Sequence, residues 1–124
     1  MDESLSAEAV VQRQLDAYNA RDIEGFMSAW AEDAEYFEHP STLLARGSAQ
    51  IRDRHVARFK EPDLHGALIK RMVAGNMVVD QERVTRTFPE GKGHVDVIAI
   101  YRVQRGRIAA AWFIVGPRTM DEKP

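Results

Sequence analysis

The sequence predicts an α+β domain, with helices in its first half and an antiparallel meander in its second. Apolar residues recur at helical spacing in three segments of the N-terminal half. From Leu64 onward the pattern becomes one of strands joined by glycine-containing turns. The length, 124 residues, suits one hydrophobic core without a linker, so both halves are read as one domain spanning 1–124, with an ordered part of about 6–116.

Ser6 is placed to cap the first helix, because its hydroxyl can accept from an orphan backbone N–H. Val11, Leu15 and Tyr18 form that helix's apolar stripe, Gln14 lies inside it, and the end is expected near Asn19. Asp22 can cap a second helix, where Ile23, Phe26, Met27 and Trp30 stand at i, i+3, i+4 and i+7. A-E-Y-F-E-H, residues 34–39, alternates as a strand, with Phe37 and His39 on one side and Tyr36 and Glu38 on the other. Pro40 lacks an N–H, so pairing should stop there. Ser48 can cap a third helix that turns Ile51, His55, Val56 and Phe59 inward and carries Arg52, Asp53 and Arg58 elsewhere. Strands are expected at about 64–74, 77–88, 94–103 and 107–115, with turns at Gly75-Asn76, at Pro89 to Gly93 and at Gly106. The tail after Pro117 is polar and is expected to fray.

Seventeen basic residues against nineteen acidic ones leave no field strong enough to draw a polyanion, which argues against a nucleic-acid partner. Without cysteine there is no disulfide, thiol nucleophile or thiolate metal site. The N-terminus has no signal-peptide core and no apolar run reaches membrane-spanning length, so a soluble, cytoplasmic protein with no membrane partner is expected. None of H-x-H, H-x-x-x-H or H-E-x-x-H occurs among the four histidines, and no Gly-rich phosphate loop or G-x-S-x-G appears. Neither a metal nor a cofactor is expected. The last two strands, V-D-V-I-A-I-Y-R-V and I-A-A-A-W-F-I-V, are apolar at nearly every position and should be covered on both sides. Helices in so short a chain cover only one side. A second copy of the chain is the simplest cover for the other, a homodimer through the outer sheet face with Ile98, Ile100, Trp112 and Ile114 at the interface.

The segments V-V-Q-R-Q-L-D-A-Y-N-A-R-D-I-E-G-F from Val10, A-E-D-A-E-Y-F-E-H-P from Ala31, G-S-A-Q-I-R-D from Gly47 and G-R-I-A-A-A-W-F near the end resemble the nuclear-transport-factor-2-like superfamily, in its SnoaL-like and ketosteroid-isomerase-like branch. The likeness covers essentially the whole chain. It implies a cone-shaped, cystatin-like fold, three N-terminal helices packed in a curved antiparallel sheet, whose open end leads to an apolar pocket. Members with this shape perform several chemistries or none, so fold alone does not assign the reaction. Carried over residue by residue, the resemblance puts Gln14 at the oxyanion tyrosine of ketosteroid isomerases and His39 at their carboxylate base, allowing one inserted residue. Ala99 falls at their protonated aspartate and His55 at a supporting tyrosine. None of the three catalytic residues is retained, so steroid isomerisation by the familiar route is not expected. The same registration puts Tyr18, Trp30, Phe37, Val97, Tyr101, Ala111, Phe113 and Val115 around the pocket, a wall suited to a flat hydrophobic molecule.

The implied activity is that of a cofactor-independent isomerase or cyclase taking a proton from carbon beside a carbonyl of a small hydrophobic, cyclic compound. A non-catalytic ligand-binding or dimerisation module is the alternative. His39 is the expected base, because an imidazole titrates near neutrality. Gln14, Tyr18 or His55 would hydrogen-bond the developing oxyanion. Two readings of D-Q-E-R, residues 80–83, stay open. Either Arg83 or Arg86 pairs with Asp96 across a hairpin, or Glu82 points into the pocket as an acid.

Overall fold

In the computed structural model, which describes residues 6–121, the Ser6 hydroxyl accepts from the Ala9 N–H at 3.1 Å and begins α1 (Ala7–Ala20). The helix closes where Arg21 turns to a φ of 56°, its N–H donating to the Tyr18 carbonyl. Asp22 then caps α2 (Ile23–Ser28) by accepting from the Gly25 N–H at 3.0 Å. Two strands follow, β1 (Trp30–Glu38) and β2 (Thr42–Arg46), and only then α3 (Ser48–Arg58). The meander is β3 (His65–Ala74), β4 (Met77–Phe88), β5 (Gly91–Gln104) and β6 (Arg107–Met120).

All strands join one six-stranded sheet in the order β2-β1-β6-β5-β4-β3. The pairing is antiparallel except between β1 and β6, which run parallel with Glu38 opposite Phe113. Two polar clamps hold α1, one to the sheet and one to a loop. The Asn19 amide donates to the Gly66 carbonyl at 2.9 Å and accepts from the Gly66 N–H at 2.8 Å, so a side chain of α1 stands where a strand would pair with β3. The Arg21 guanidinium donates to the carbonyls of Glu61, Pro62 and Leu64, which ties the α1–α2 corner to the loop after α3. The core lies between helices and sheet, with Phe26, Trp30, Ile51, Val78 and Ile108 fully enclosed.

Several expectations are corrected. The third helix is not N-terminal to the sheet, since β1 and β2 precede it, and the sheet is mixed rather than wholly antiparallel. Trp30 opens β1 instead of extending α2, whose apolar spacing runs on past its last turn. The short edge strand β2 has no counterpart in the expected elements. Gly47, not Ser48, is the N-cap of α3, and no side chain caps that helix. Val56 of α3 is exposed. The tail does not fray at Pro117: β6 continues to Met120, which pairs with Gly93, and the Asp121 N–H donates to the Lys92 carbonyl at 3.0 Å. Gly93 permits this approach, because a Cβ there would stand 2.7 Å from the Thr119 carbonyl oxygen.

The strand registers set Phe37, Trp112, Ile100, Val79 and Met72 side by side across β1, β6, β5, β4 and β3, on the sheet face away from the helices. Among the described residues, no helix is long and apolar enough to cross a membrane.

Candidate functional site

A cavity of about 340 Å³ lies between α1, α3 and the inner face of the sheet, a size at the small end of ligand pockets. Strand alternation builds its wall. Tyr36 and Glu38 of β1, Glu82, Val84 and Arg86 of β4, Val95, Val97 and Tyr101 of β5, and Phe113 and Val115 of β6 all face inward. Leu15 and Tyr18 of α1, with Arg54, His55 and Arg58 of α3, close the other side. The rings interlock: Tyr36 and Phe113 centroids are 4.5 Å apart, Trp30 and Tyr36 5.8 Å, and Tyr101 meets Phe113 edge-on at 6.0 Å. Exposed Glu38, Leu44 and Val115 mark the rim.

Many of the lining residues carry polar groups, and their states differ. Glu82 is 7% exposed, and burial, with Asp80 nearby, pushes its carboxyl up to about 7 against the opposing pull of Arg71. Its Oε1 sits over Gly66, where a Cβ would come within 3.2 Å. Asp80, two residues earlier on the same face, is bound instead by the fork of Arg71 at 2.7 and 2.8 Å. Tyr101 lies beside the Gln14 amide, and burial among the charges of Glu82 and Asp80 holds its hydroxyl well above the ordinary tyrosine value. Tyr18 is pushed up to about 12 by burial, against the lowering effect of Arg58. Both phenols are therefore neutral hydrogen-bond donors at physiological pH.

His55 is buried against Phe26, centroids 4.4 Å apart, and its Nδ1–H donates to the Ile51 carbonyl at 2.8 Å. Burial, with the cations Arg58 and Arg54 adding to it, pushes this imidazole down to about 4. It is neutral near pH 7, with Nε2 left as an acceptor. The Trp30 indole N–H is buried in the cavity wall without an acceptor among the described residues.

Gln14, Tyr18, Trp30, His55, Glu82, Tyr101 and Phe113 thus meet around one cavity. His39 and Phe37 do not. The alternation of β1 is the reverse of the expected one: Tyr36 and Glu38 point inward, while Phe37 stacks on Trp112 on the outer face, centroids 5.7 Å apart and planes 8° from parallel. His39 is exposed, and its backbone N–H donates to the Phe113 carbonyl at 2.9 Å. The two readings of residues 80–83 prove compatible, since Arg83 pairs with Asp96 at 3.2 Å on the outer side while Glu82 faces the cavity.

Sequence reasoning missed Tyr36, Glu38, Arg54, Arg58 and Arg86. The signals were present: Arg54 and Arg58 stand four apart on α3 beside His55, and Arg86 shares the parity of Glu82 and Val84. Among the described residues no cluster of three or more histidine, aspartate or glutamate side chains has the arrangement of a metal site.

Residues 11–111 match the family model for a SnoaL-like domain. Comparison with curated proteins finds no match. Solved structures similar to this chain include a cystatin-fold protein from Novosphingobium aromaticivorans, 24% identical with a TM-score of 0.83, covering 90% of this chain and 99% of that one. An NTF2-like protein from Cytophaga hutchinsonii is 16% identical with a TM-score of 0.77, over 94% of this chain and 96% of that one. An LEH-like epoxide hydrolase from M. tuberculosis is 16% identical with a TM-score of 0.77, over 88% and 81%. At these identities the likeness shows the fold.

Proposed function

The chain belongs to the SnoaL-like domain family, and from that membership we propose that its cavity performs cofactor-independent acid–base chemistry on a small, hydrophobic, cyclic carbonyl compound. One observation carries this reading: a buried carboxyl, Glu82, stands in the wall of an aromatic cavity with its pKa raised to about 7. Such a group is ionised often enough to accept a proton and holds it weakly enough to return it.

In the proposed step Glu82 takes the proton from carbon beside the carbonyl. The C–H electron pair becomes a C=C bond and the carbonyl π pair moves to oxygen, giving an enolate. The orphan Trp30 indole N–H and the Tyr101 hydroxyl supply donors for that oxygen, and the Gln14 amide orients Tyr101. Return of the proton to the far carbon of a conjugated double bond completes an isomerisation; attack of the enolate carbon on a second carbonyl of the same molecule, whose oxygen takes the proton back from Glu82, completes a cyclisation. His39, exposed outside the cavity, has no part in this route, and His55 serves as a neutral acceptor.

Ala99 favours the alternative of a non-catalytic binder, because it is buried on the inner face where the resemblance called for a carboxyl donor. Deuterium incorporation at the benzylic carbon beside the carbonyl of 2-tetralone, followed by NMR in heavy water, separates the two. The wild type is expected to accelerate exchange, and Glu82→Gln to slow it by about 100-fold or more while tetralone affinity stays within about tenfold. No acceleration by the wild type leaves a binding module. Loss of exchange in Glu38→Gln but not in Glu82→Gln moves the base to the rim.

A further inference from the structure

Arg54, Arg58 and Arg86 line the same cavity, but only two of them meet a carboxylate, and they share one. Arg86 grips Glu61 through two bonds of 2.8 and 2.7 Å, and Arg58 lies 3.8 Å from the same carboxylate. Arg54 has no ion-pair partner among the described residues. Its guanidinium lies over the Tyr36 ring, 5.2 Å from the centroid, and its Nε is buried with no acceptor among the described residues. Stacking covers the face of a guanidinium and leaves its in-plane N–H donors to be satisfied. A partly desolvated cation with unpaired donors is costly unless an anion meets it.

We propose that the cavity's ligand is an acid, a flat cyclic compound whose carboxylate is received by the fork of Arg54. The proposal rests on the reading of the cavity as a substrate site and extends it to a substrate class, a hydrophobic cyclic keto acid. A planar guanidinium matches a carboxylate through two parallel bonds. Tyr36, beneath Arg54, belongs to β1, whereas Glu82 belongs to β4, three strand spacings away in the sheet. Neighbouring strands stand about 4.8 Å apart, so these two strands are on the order of 14 Å apart. Inward-pointing side chains shorten that span to the length of a molecule of about two fused rings. Such a ligand reaches both groups, with the carboxylate at Arg54 and the carbon acid at Glu82. Glu82, whose burial keeps it protonated for part of the time near pH 7, repels that carboxylate less than an ordinary glutamate would.

The probes are 2-naphthoate and its neutral near-isostere 2-acetonaphthone, titrated by calorimetry into the full chain. The wild type is expected to bind the naphthoate about tenfold or more tighter, and Arg54→Gln to erase that preference while holding acetonaphthone within about threefold. Equal affinities in the wild type, or a preference that survives in Arg54→Gln, overturn the proposal. If Arg54→Gln does not fold, the wild type still decides: naphthoate affinity should fall as salt rises while acetonaphthone affinity does not, and a flat response for both overturns it. Tetralone exchange without naphthoate preference removes the acid from the ligand and leaves the acid–base site. Absence of exchange and of binding by either probe removes both.

Discussion

Glu82 and His55 both sit in the cavity wall, and burial moves their proton affinities in opposite directions. The unfolded chain releases the Glu82 proton near 4.5, the folded one near 7. Between those values the folded state binds more protons than the unfolded state, so stability falls as pH rises, and above about 7 the full deficit is present, on the order of 3 kcal/mol. His55 has the reverse sign. Its folded value of about 4 lies below the ordinary 6.5, so its contribution is present above 6.5 and is lost as pH falls toward 4. The two slopes oppose each other where they overlap. Replacing Glu82 with glutamine removes one of them. Urea unfolding is expected to give equal stabilities for variant and wild type at about pH 4, and a variant more stable by about 3 kcal/mol at about pH 8. A difference that does not change with pH would mean that the carboxyl is not desolvated in the fold.

At the scale of elements, the pair Arg71–Asp80 fastens β3, an edge strand, to β4, and Arg71 reaches on to the Gln12 side chain of α1 at 2.9 Å. Asp80 is fully buried, so its loss strands a cation in the protein interior. Asp80→Ala is expected to cost about 3 kcal/mol or more in urea unfolding, while Arg71→Met with Asp80→Leu returns to within about 1 kcal/mol of wild type. A single variant as stable as the wild type would show that the pair holds nothing. This strand was legible in the sequence, bounds included, but its inner face was not: residues 80–83 are polar on both sides, and only the structure turns Val78, Asp80, Glu82 and Val84 inward. In β1, aromatic Tyr36 and Phe37 are neighbours, so hydrophobicity does not say which side is inner, and the reading chose the wrong one. The error carried His39 into the site and left Glu38 out. Arg54 and Arg58 were hidden for a different reason, since charges on a helix suggest solvent, and only the sheet's approach to α3 makes them cavity residues. The parallel pairing of β1 with β6 leaves no local trace either, because it joins segments about 75 positions apart in the chain.

Over the whole molecule, one face of the sheet carries the helices and the other carries an apolar row. Phe37, Trp112, Ile100, Val79 and Met72 follow one another across five strands, four strand spacings or on the order of 19 Å. Ile98 and Ile114, paired with each other, run beside it. Met72 is 57% and Ile114 43% exposed, and Arg102 lays its guanidinium over Trp112 at 5.6 Å, so water wets a surface built of large apolar groups. Among the described residues no helix packs on that side. We propose that a second copy covers it, since a row that crosses the sheet from side to side can lie against its own image about a twofold axis, and a stable interface needs about 800 Å² from each partner. Met72→Glu with Ile114→Glu places one charge at the β3 end of that contact and one beside its centre without entering the core. In light scattering after gel filtration the wild type is expected at twice the chain's mass and the double variant at the chain's mass, with unchanged far-ultraviolet dichroism. A wild type that elutes as a monomer at micromolar concentration would leave the row uncovered and end the proposal. The cavity lies on the opposite face, so 2-tetralone affinity in the double variant should stay within about threefold of wild type.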